Sequence, residues 1–521
     1  MSDFGFSDGH LEKRRRLLAS GVSPFPYSFD GVRKIAAVVE EESQRPGGPE
    51  QAQQHGVVVA GRIWARRQMG KTMFIDLRDD SGSIQLYLKR EEVGEDTWRY
   101  LRWLDLGDIV GAGGNVFRTR TGELTIRVAH FAILSKTAVP IPLGKESGET
   151  THYRLADPES RYGERYLTWL LDPRERERIR LRSRIISALR REMESRGFLE
   201  VSTPVIEPIY GGAEARPFRT SVWALGGAEA FLRISPELYL KRYVVAGFDK
   251  VFTICSNFRN EGIDRSHNPE FTMMEWYEAF TDYAFQMEQF ETLVAQVCRE
   301  IHGTTRVTYQ GVKLDFTPPW RRVSMLEALA DAGVAASEMT AEDLSRLLVA
   351  RGAMTADDLP WGVAVAELFE LLCEGQLVQP TFVVDHPIEI SPLTKVKRGD
   401  PRLVERFEPY VCRMEIGNAY SELTDPVDQL DRLVAQRRRG RAEDYENHPI
   451  DADFVKAIGC GMPPTGGVGL GVDRLIMLLT DASSIRDIIP FPMVAARSAV
   501  AVPRPERQTG TNPDTAGENR R

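Results

Sequence analysis

Between residues 57 and 134 the chain is cut into short apolar stretches by turn sequences, and that pattern narrows the fold more than any other feature. Segments 57–63, 73–77, 83–88, 108–111 and 124–128 each have strand length and strand composition. Asp79-Asp80-Ser81-Gly82 and Arg120-Thr121-Gly122-Glu123 read as the turns between them. A helical stretch at 91–104 separates the third strand from the fourth. Five short strands with a helix in that place predict an OB-type barrel, with any small β-barrel as the plainer alternative.

Beyond the barrel the pattern changes. A connector at 141–172 carries Pro142, Gly144 and Gly148. A helix then opens with Asp172 as cap and Pro173 in the first position, and Leu181, Ile185, Leu189 and Met193 recur on one face. Gly197 ends this helix, and 198–201 reads as a strand leading to Pro204. The chain to about residue 495 mixes helices and strands without βαβ regularity, which predicts an α+β fold rather than a doubly wound sheet. The expected organisation is a charged, partly helical extension at 1–55, the barrel at 56–140, the connector at 141–172, a large catalytic domain at 173–495 and a polar, disordered tail at 496–521. In the extension, 11–18 reads as a short helix; its basic run from Lys13 to Arg16 is either a phosphate contact or a solvated helix face.

Composition excludes some classes. The 521 residues carry 67 basic and 75 acidic side chains, for a net charge of −8. That argues against a sequence-blind coat for polyanions, although a local basic face can still read RNA. The five cysteines are odd in number and have no metal-ligand spacing, as expected of a reduced cytoplasmic protein. The first sixteen residues lack the apolar core of a secretory signal, and no apolar run approaches membrane-spanning length.

Chemistry concentrates in two places. Phe258-Arg259-Asn260-Glu261 precedes His267-Asn268-Pro269-Glu270-Phe271-Thr272-Met273-Met274-Glu275, and Gly467-Val468-Gly469-Leu470-Gly471-Val472-Asp473-Arg474 lies near the C-terminus. A polyphosphate needs fixed cations, an adenine a flat apolar platform, and an ammonium a carboxylate. Together these segments suggest activation of a carboxylic acid by ATP.

The helix leading to Pro204, the Phe258–Glu261 string and the Gly469–Arg474 string resemble the three signature motifs of class II aminoacyl-tRNA synthetases. Further strings resemble the lysine-specific ligases of the bacterial type: Gly211-Gly212-Ala213-Glu214-Ala215-Arg216-Pro217-Phe218, Pro236-Glu237-Leu238-Tyr239-Leu240-Lys241-Arg242, Arg406-Phe407-Glu408, and Glu415-Ile416-Gly417-Asn418-Ala419-Tyr420-Ser421-Glu422-Leu423. The resemblance runs from about residue 10 to 495. It implies an OB barrel that binds the anticodon, and a catalytic domain built on an antiparallel sheet flanked by helices. It also implies a homodimer formed through 174–204, and ATP-dependent joining of L-lysine to tRNA(Lys).

The resemblance also implies residue roles. Arg259 would hold the α-phosphate and the substrate carboxylate, and Arg474 would clamp the γ-phosphate and cover the adenine. Glu261 would meet the adenine amino group, Phe271 would stack on the base, and His267 would lie by the outer phosphates. Asn268, Glu415 and Gly471 complete the implied ATP set. Glu408 and Glu415 would hold Mg²⁺. Lysine would be bound by Gly212, Glu237, Glu275, Tyr277, Asn418, Tyr420 and Glu422. Glu237 and the Gly212 backbone would take the α-amino group, with Asn418 at the carboxylate. Glu275, Glu422 and the Tyr277 hydroxyl would surround the ε-ammonium. Arg66, Phe74, Gln85 and Glu123 would read the anticodon.

Three stretches depart from the family pattern: 223–230, usually more polar and histidine-containing; Cys412-Arg413-Met414, where small residues are expected; and the tail beyond Pro492, longer than usual. Competing readings leave marks that this chain lacks. A non-ligating RNA binder predicts damage at Arg259, Arg474, Glu408 or Glu415, and all four are intact. A paralogue that lysylates a translation factor would lack the barrel. An aspartate or asparagine ligase is disfavoured by the pocket carboxylates, since an aspartate pocket needs cations where Glu275 and Glu422 stand.

Overall fold

The computed structural model describes residues 4–44, 56–143, 146–147, 150–151, 157–353, 359–439 and 449–494. The expected disordered tail lies outside the described residues. Two compact units meet in sequence at Asp157 and Pro158.

The first unit holds helices α1 (Asp8–Ala19) and α2 (Ile35–Ser43) and strands β1 (Gly56–Met69), β2 (Thr72–Arg78) and β3 (Ser83–Lys89). Helices α3 (Arg90–Val93) and α4 (Glu95–Leu101) and strands β4 (Ile109–Arg118) and β5 (Leu124–Ser135) follow. The strands close into a barrel in the order β1-β2-β3-β5-β4, with β3 and β5 parallel. Alternation fills it: Val57, Val59, Ile75, Leu77, Leu86, Leu88, Ile126 and Val128 are buried. Two expectations change in detail. The first strand runs on past Ile63 through a bulge to Met69, because its outer half is polar and shows no apolar signal. The helix expected at 91–104 is two short helices, divided at Gly94, whose φ is 82°. The basic run of α1 is engaged internally: Lys13 pairs with Asp105, and Arg15 and Arg16 with Glu12. That favours the helix-face reading.

The second unit opens its main layer with α5 (Pro173–Ser195). Asp172 accepts a hydrogen bond from the Arg174 backbone N–H at 2.9 Å, Pro173 starts the helix, and Gly197 follows at φ 82°. The chain continues through β6 (Leu199–Glu200), α6 (Glu237–Val245), β7 (Lys250–Phe258), β8 (Glu270–Ala279) and α7 (Tyr283–His302). Next come β9 (Arg321–Ser324), β10 (Thr381–Pro387), β11 (Leu403–Val411) and β12 (Gly417–Ser421). The unit ends with α8 (Pro426–Arg439), α9 (Ala452–Gly459), β13 (Thr465–Gly471) and α10 (Val472–Leu479). The sheet order is β9-β10-β11-β12-β13-β8-β7-β6, with Met414–Glu415 added on β11. Its central pairs are antiparallel, as the α+β reading expects, and only the two outermost pairs are parallel. One face packs on α5, α7 and α10 through residues such as Ile185, Phe290, Trp276, Val468, Leu470 and Leu475. Among the described residues no helix is long and apolar enough to cross a membrane.

Candidate active site

The opposite face of the sheet is open at its centre, and strand periodicity decides which side chains reach it. On β8, Met274 and Trp276 point into the core. Phe271, Met273, Glu275 and Tyr277 therefore point the other way, into a cavity of 410 Å³. The register extends this pattern sideways. Glu275 lies beside Gly469, which lies beside Asn418; Tyr277 lies beside Gly467, which lies beside Tyr420. Each rung is a large polar residue, a glycine and another large polar residue. The middle of each rung carries no side chain of its own, which leaves room for its neighbours: Glu422 and Tyr277 over Gly467, Met273 and Glu275 over Gly469. A Cβ on Gly467 would fall 1.9 Å from Glu422 Oε1 and 2.5 Å from the Tyr277 ring.

One end of the cavity is cationic and aromatic. β7 and β8 form a hairpin in which Phe258 pairs with Glu270, and the 259–269 loop folds back over it. Arg259 is fixed by its backbone N–H to Pro269 O at 2.9 Å, and its guanidinium lies 5.1 Å from the Phe271 ring centroid. Its Nε is buried without a hydrogen-bond partner among the described residues. Burial pushes the Arg259 pKa down, against the attraction of Glu261, Glu415 and Glu275. Arg474, in the first turn of α10, donates to the Glu415 carbonyl at 2.6 Å and lies 3.1 Å from His267 Nε2. His267 is held by Asp264 at 2.7 Å, and Asp264 is held down to a pKa of about 2 although its slight burial opposes this. The preceding residue, Asp473, is clamped: its carboxylate accepts from the Thr272 backbone at 2.7 Å and from Arg182 of α5 at 3.1 Å.

Beside this end, Glu408 of β11 faces Glu415. Arg406 binds Glu408 at 2.5 Å and donates to Asn418 Oδ1 at 2.9 Å, and the Tyr410 hydroxyl donates to Glu408 at 3.0 Å. Glu408 is held below the usual carboxylate range: burial opposes this, but Arg406 and His386 outweigh it. Burial and then the Glu408 charge push Glu415 up. The tight turn before Glu415 puts Cys412 and Arg413 at φ 52° and 66°. Small residues, glycine above all, suit that conformation, which costs roughly 1 kcal/mol or more for other residues. The unusual Cys412-Arg413 pair thus strains a hairpin turn without entering the cavity.

The other end is anionic. Glu237, Glu275 and Glu422 are 5%, 4% and 1% exposed. Glu275 accepts from the Ser235 hydroxyl at 3.0 Å and lies 3.4 Å from the Tyr277 hydroxyl. Burial, then the neighbouring Glu237, pushes its pKa up to about 8. Glu422 is pushed well above the ordinary value, first by burial and then by Glu237 and Glu275, although Lys241 opposes this. Its Oε1 accepts no hydrogen bond from any described residue. Two desolvated carboxylates lining an open volume, Glu237 and Glu275, with Glu422 close behind them, form a site for cationic groups.

Comparison with known proteins identifies the family. Residues 157–495 match the family described as tRNA synthetases class II (D, K and N), and residues 57–134 match the OB-fold nucleic acid binding domain. The lysine–tRNA ligase of Pelotomaculum thermopropionicum is 43% identical over 490 residues, 93% of this chain and 94% of that one. Those of a Thermoanaerobacter species and of Clostridium novyi are 45% and 46% identical. They cover 94% and 92% of this chain, and 95% and 93% of their own.

The chain belongs to the class II lysine–tRNA ligases.

For this lysine–tRNA ligase family member, the residues expected from sequence collect as follows. Arg259, Glu261, His267, Asn268, Phe271, Glu408, Glu415, Gly471 and Arg474 line the cavity toward its cationic end. Gly212, Glu237, Glu275, Tyr277, Asn418 and Tyr420 line it toward the anionic end. Glu422 lies just behind that wall, beneath Gly467. Arg66, Phe74, Gln85 and Glu123 are all on the barrel. Gln85 donates to Glu123 at 2.9 Å, Arg66 donates to the Leu101 carbonyl at 3.1 Å, and Phe74 tilts against Tyr87 with ring centroids 5.1 Å apart. The departing stretch 223–230 forms a hairpin tip away from the cavity lining, with Trp223 92% exposed.

Sequence reasoning gave no role to Ser235, Lys241, Arg406 or Arg182. Two of them left a local signal. Arg406 stands two residues before Glu408, on the same strand face, and Lys241 stands one helical turn after Glu237.

Proposed function

We propose that this chain activates L-lysine with ATP and transfers it to the 3′ end of tRNA(Lys). The observation that carries the reading is the polarity of one cavity, with buried carboxylates at one end and Arg259 and Arg474 at the other. A lysine laid along it places its two ammonium groups among Glu237, Glu275 and Glu422 and its carboxylate toward Arg259. The carboxylate oxygen then attacks the α-phosphorus, and the bond to the bridging oxygen breaks with loss of pyrophosphate. The nucleophile is already an anion, so this step needs no general base. It needs two anions held together, and a guanidinium spanning both removes their repulsion. Phe271 and Arg474 offer faces to an adenine ring, and Arg474 with His267 faces the outer phosphates. In the second step the terminal ribose hydroxyl attacks the acyl carbon, with AMP as leaving group.

Glu408 and Glu415 suit Mg²⁺. They present hard oxygen donors, and burial followed by the Glu408 charge raises the pKa of Glu415. Among the described residues no cluster of three or more potential ligands exists, so phosphate oxygens and water would complete the shell. Bound there, the ion would neutralise charge on the phosphates. Arg66, Phe74, Gln85 and Glu123 of the barrel are the proposed anticodon reader, with Phe74 and Gln85 on one face and Arg66 paired opposite Ile75. Cytoplasmic location and a homodimer built through 174–204 belong to the same reading.

The decisive test is ATP–pyrophosphate exchange without tRNA across lysine, ornithine, arginine, aspartate and asparagine. Exchange strongest with lysine is expected; exchange with aspartate or asparagine alone would overturn the assignment of the anionic end. The pH dependence follows from Glu275. Its carboxyl keeps a proton up to about pH 8 in the free protein, whereas an ammonium ligand requires the carboxylate. Lysine binding therefore releases a proton, and KM for lysine falls as pH rises from 6.5 toward 8, by up to about tenfold per unit. A lysine KM that is flat or rises over this interval would exclude Glu275 as an ammonium partner.

A further inference from the structure

Two of the three carboxylates of the anionic end, Glu237 and Glu422, share a resident cation. Lys241, on α6, is fully buried and lies outside the cavity lining. Its Nζ donates to Glu237 Oε1 at 2.7 Å and makes a close charge contact with Glu422 Oε2 at 2.5 Å. From the other elements, Tyr420 of β12 and Phe454 of α9 put ring centroids 5.5 and 5.8 Å from the same nitrogen. Glu275 and Tyr277 of β8 complete the titratable surroundings. Asp451, at the start of α9, is taken by Arg242 at 2.6 Å.

We propose that Lys241 is a positioning residue for substrate specificity: it neutralises one of three pocket carboxylates, so that the remaining charge of −2 matches an amino acid bearing two ammonium groups. The inference rests on the lysine-activating reading above. Its logic is a balance of buried charge. Glu237, Glu275 and Glu422 ionised give −3, and Lys241 returns +1. The α- and ε-ammonium groups of lysine bring the sum to zero, while the substrate carboxylate and the phosphates are answered separately by Arg259 and Arg474. A desolvated site left away from neutrality costs heavily. Lys241 also divides the oxygens. It occupies Glu237 Oε1 and Glu422 Oε2, leaving Glu422 Oε1 unpartnered and turned toward Gly467 and Tyr277.

The electrostatics support this. Burial alone would drive the Lys241 proton off, but Glu237 and Glu422 outweigh it and hold the ammonium charged. Lys241 in turn is the group that opposes protonation of Glu422. Without it, Glu422 holds its proton to higher pH, and a substrate ammonium must displace that proton to bind.

The test uses the full-length protein carrying Lys241→Met, which keeps volume and removes charge, with ATP–pyrophosphate exchange at pH 7 to 8.5. KM for lysine is expected to rise by about 100-fold at pH 7, with KM for ATP within about twofold. The lysine KM of the variant should also fall more steeply with pH than that of the unsubstituted protein. If the Met side chain prevents folding, Lys241→Gln retains a hydrogen-bond donor without charge and gives the same readout. An unchanged lysine KM, or lysine and ATP KM values rising together with an unaltered pH profile, would overturn the proposal. Failure of the unsubstituted protein to exchange with lysine would instead sink the functional reading, so the two outcomes stay separate.

Discussion

Arg259→Lys lowers the turnover of lysine-dependent ATP–pyrophosphate exchange by about 10³-fold or more, the scale of losing one preorganised donor to a developing oxyanion. Charge is retained in this variant, so the loss reads geometry. The Arg259 guanidinium is set at the end of β7, braced by its backbone on Pro269 and lying against Phe271. Its buried Nε has no protein partner among the described residues, and a planar fork there can address two anions at once. An ammonium on a flexible stem is a point charge that reaches one of them. Substitution costs little stability, because few protein contacts depend on this side chain. Single-turnover adenylate formation is the measurement, and a rate within tenfold of the unsubstituted protein would remove Arg259 from the chemical step.

The second large effect lies at the other end. Glu422→Gln conserves shape and removes one of the two carboxylates proposed to address the ε-ammonium, while leaving Lys241 short of a partner. A buried polar site with a missing partner discriminates by about 10⁴, so kcat/KM for lysine is expected to fall by about 10³ to 10⁴-fold. The fall should appear mostly in KM, and KM for ATP should stay near its original value, because Arg259, Phe271 and Arg474 are untouched. A change in lysine KM below threefold would show that Glu422 does not meet the substrate.

The barrel was legible in the sequence because alternation and turn chemistry are local properties. Its first strand extended unseen to Met69 because Arg66, Arg67 and Gln68 carry polar side chains on a barrel surface, where no apolar period announces a strand. The capped helix at Asp172 and Pro173 was legible for the same local reason. The candidate site is a different case. Family strings named the residues that line the cavity, yet a string does not tell which neighbour each carboxylate faces. Lys241 meets Glu422 only because α6 and the end of β12 converge. Arg406 joins Asn418 only across the β11–β12 pair, and Arg182 reaches Asp473 only when α5 packs behind α10. Such partners come from register and helix packing, which periodicity within one segment does not encode.

The glycine column of β13 has a consequence of its own. Gly467 and Gly469 provide no functional group, yet a Cβ on either would press on neighbours at the cavity: Glu422 and Tyr277 at Gly467, Met273 at Gly469. The strand works as a mould, and its contribution is negative volume. Alanine at Gly467 would displace the Glu422 carboxylate and the Tyr277 ring, and so look like the loss of a binding residue although neither was substituted. A search for function that scores only donors, acceptors and charges passes over this strand, whereas one that scores emptiness finds the pocket from it.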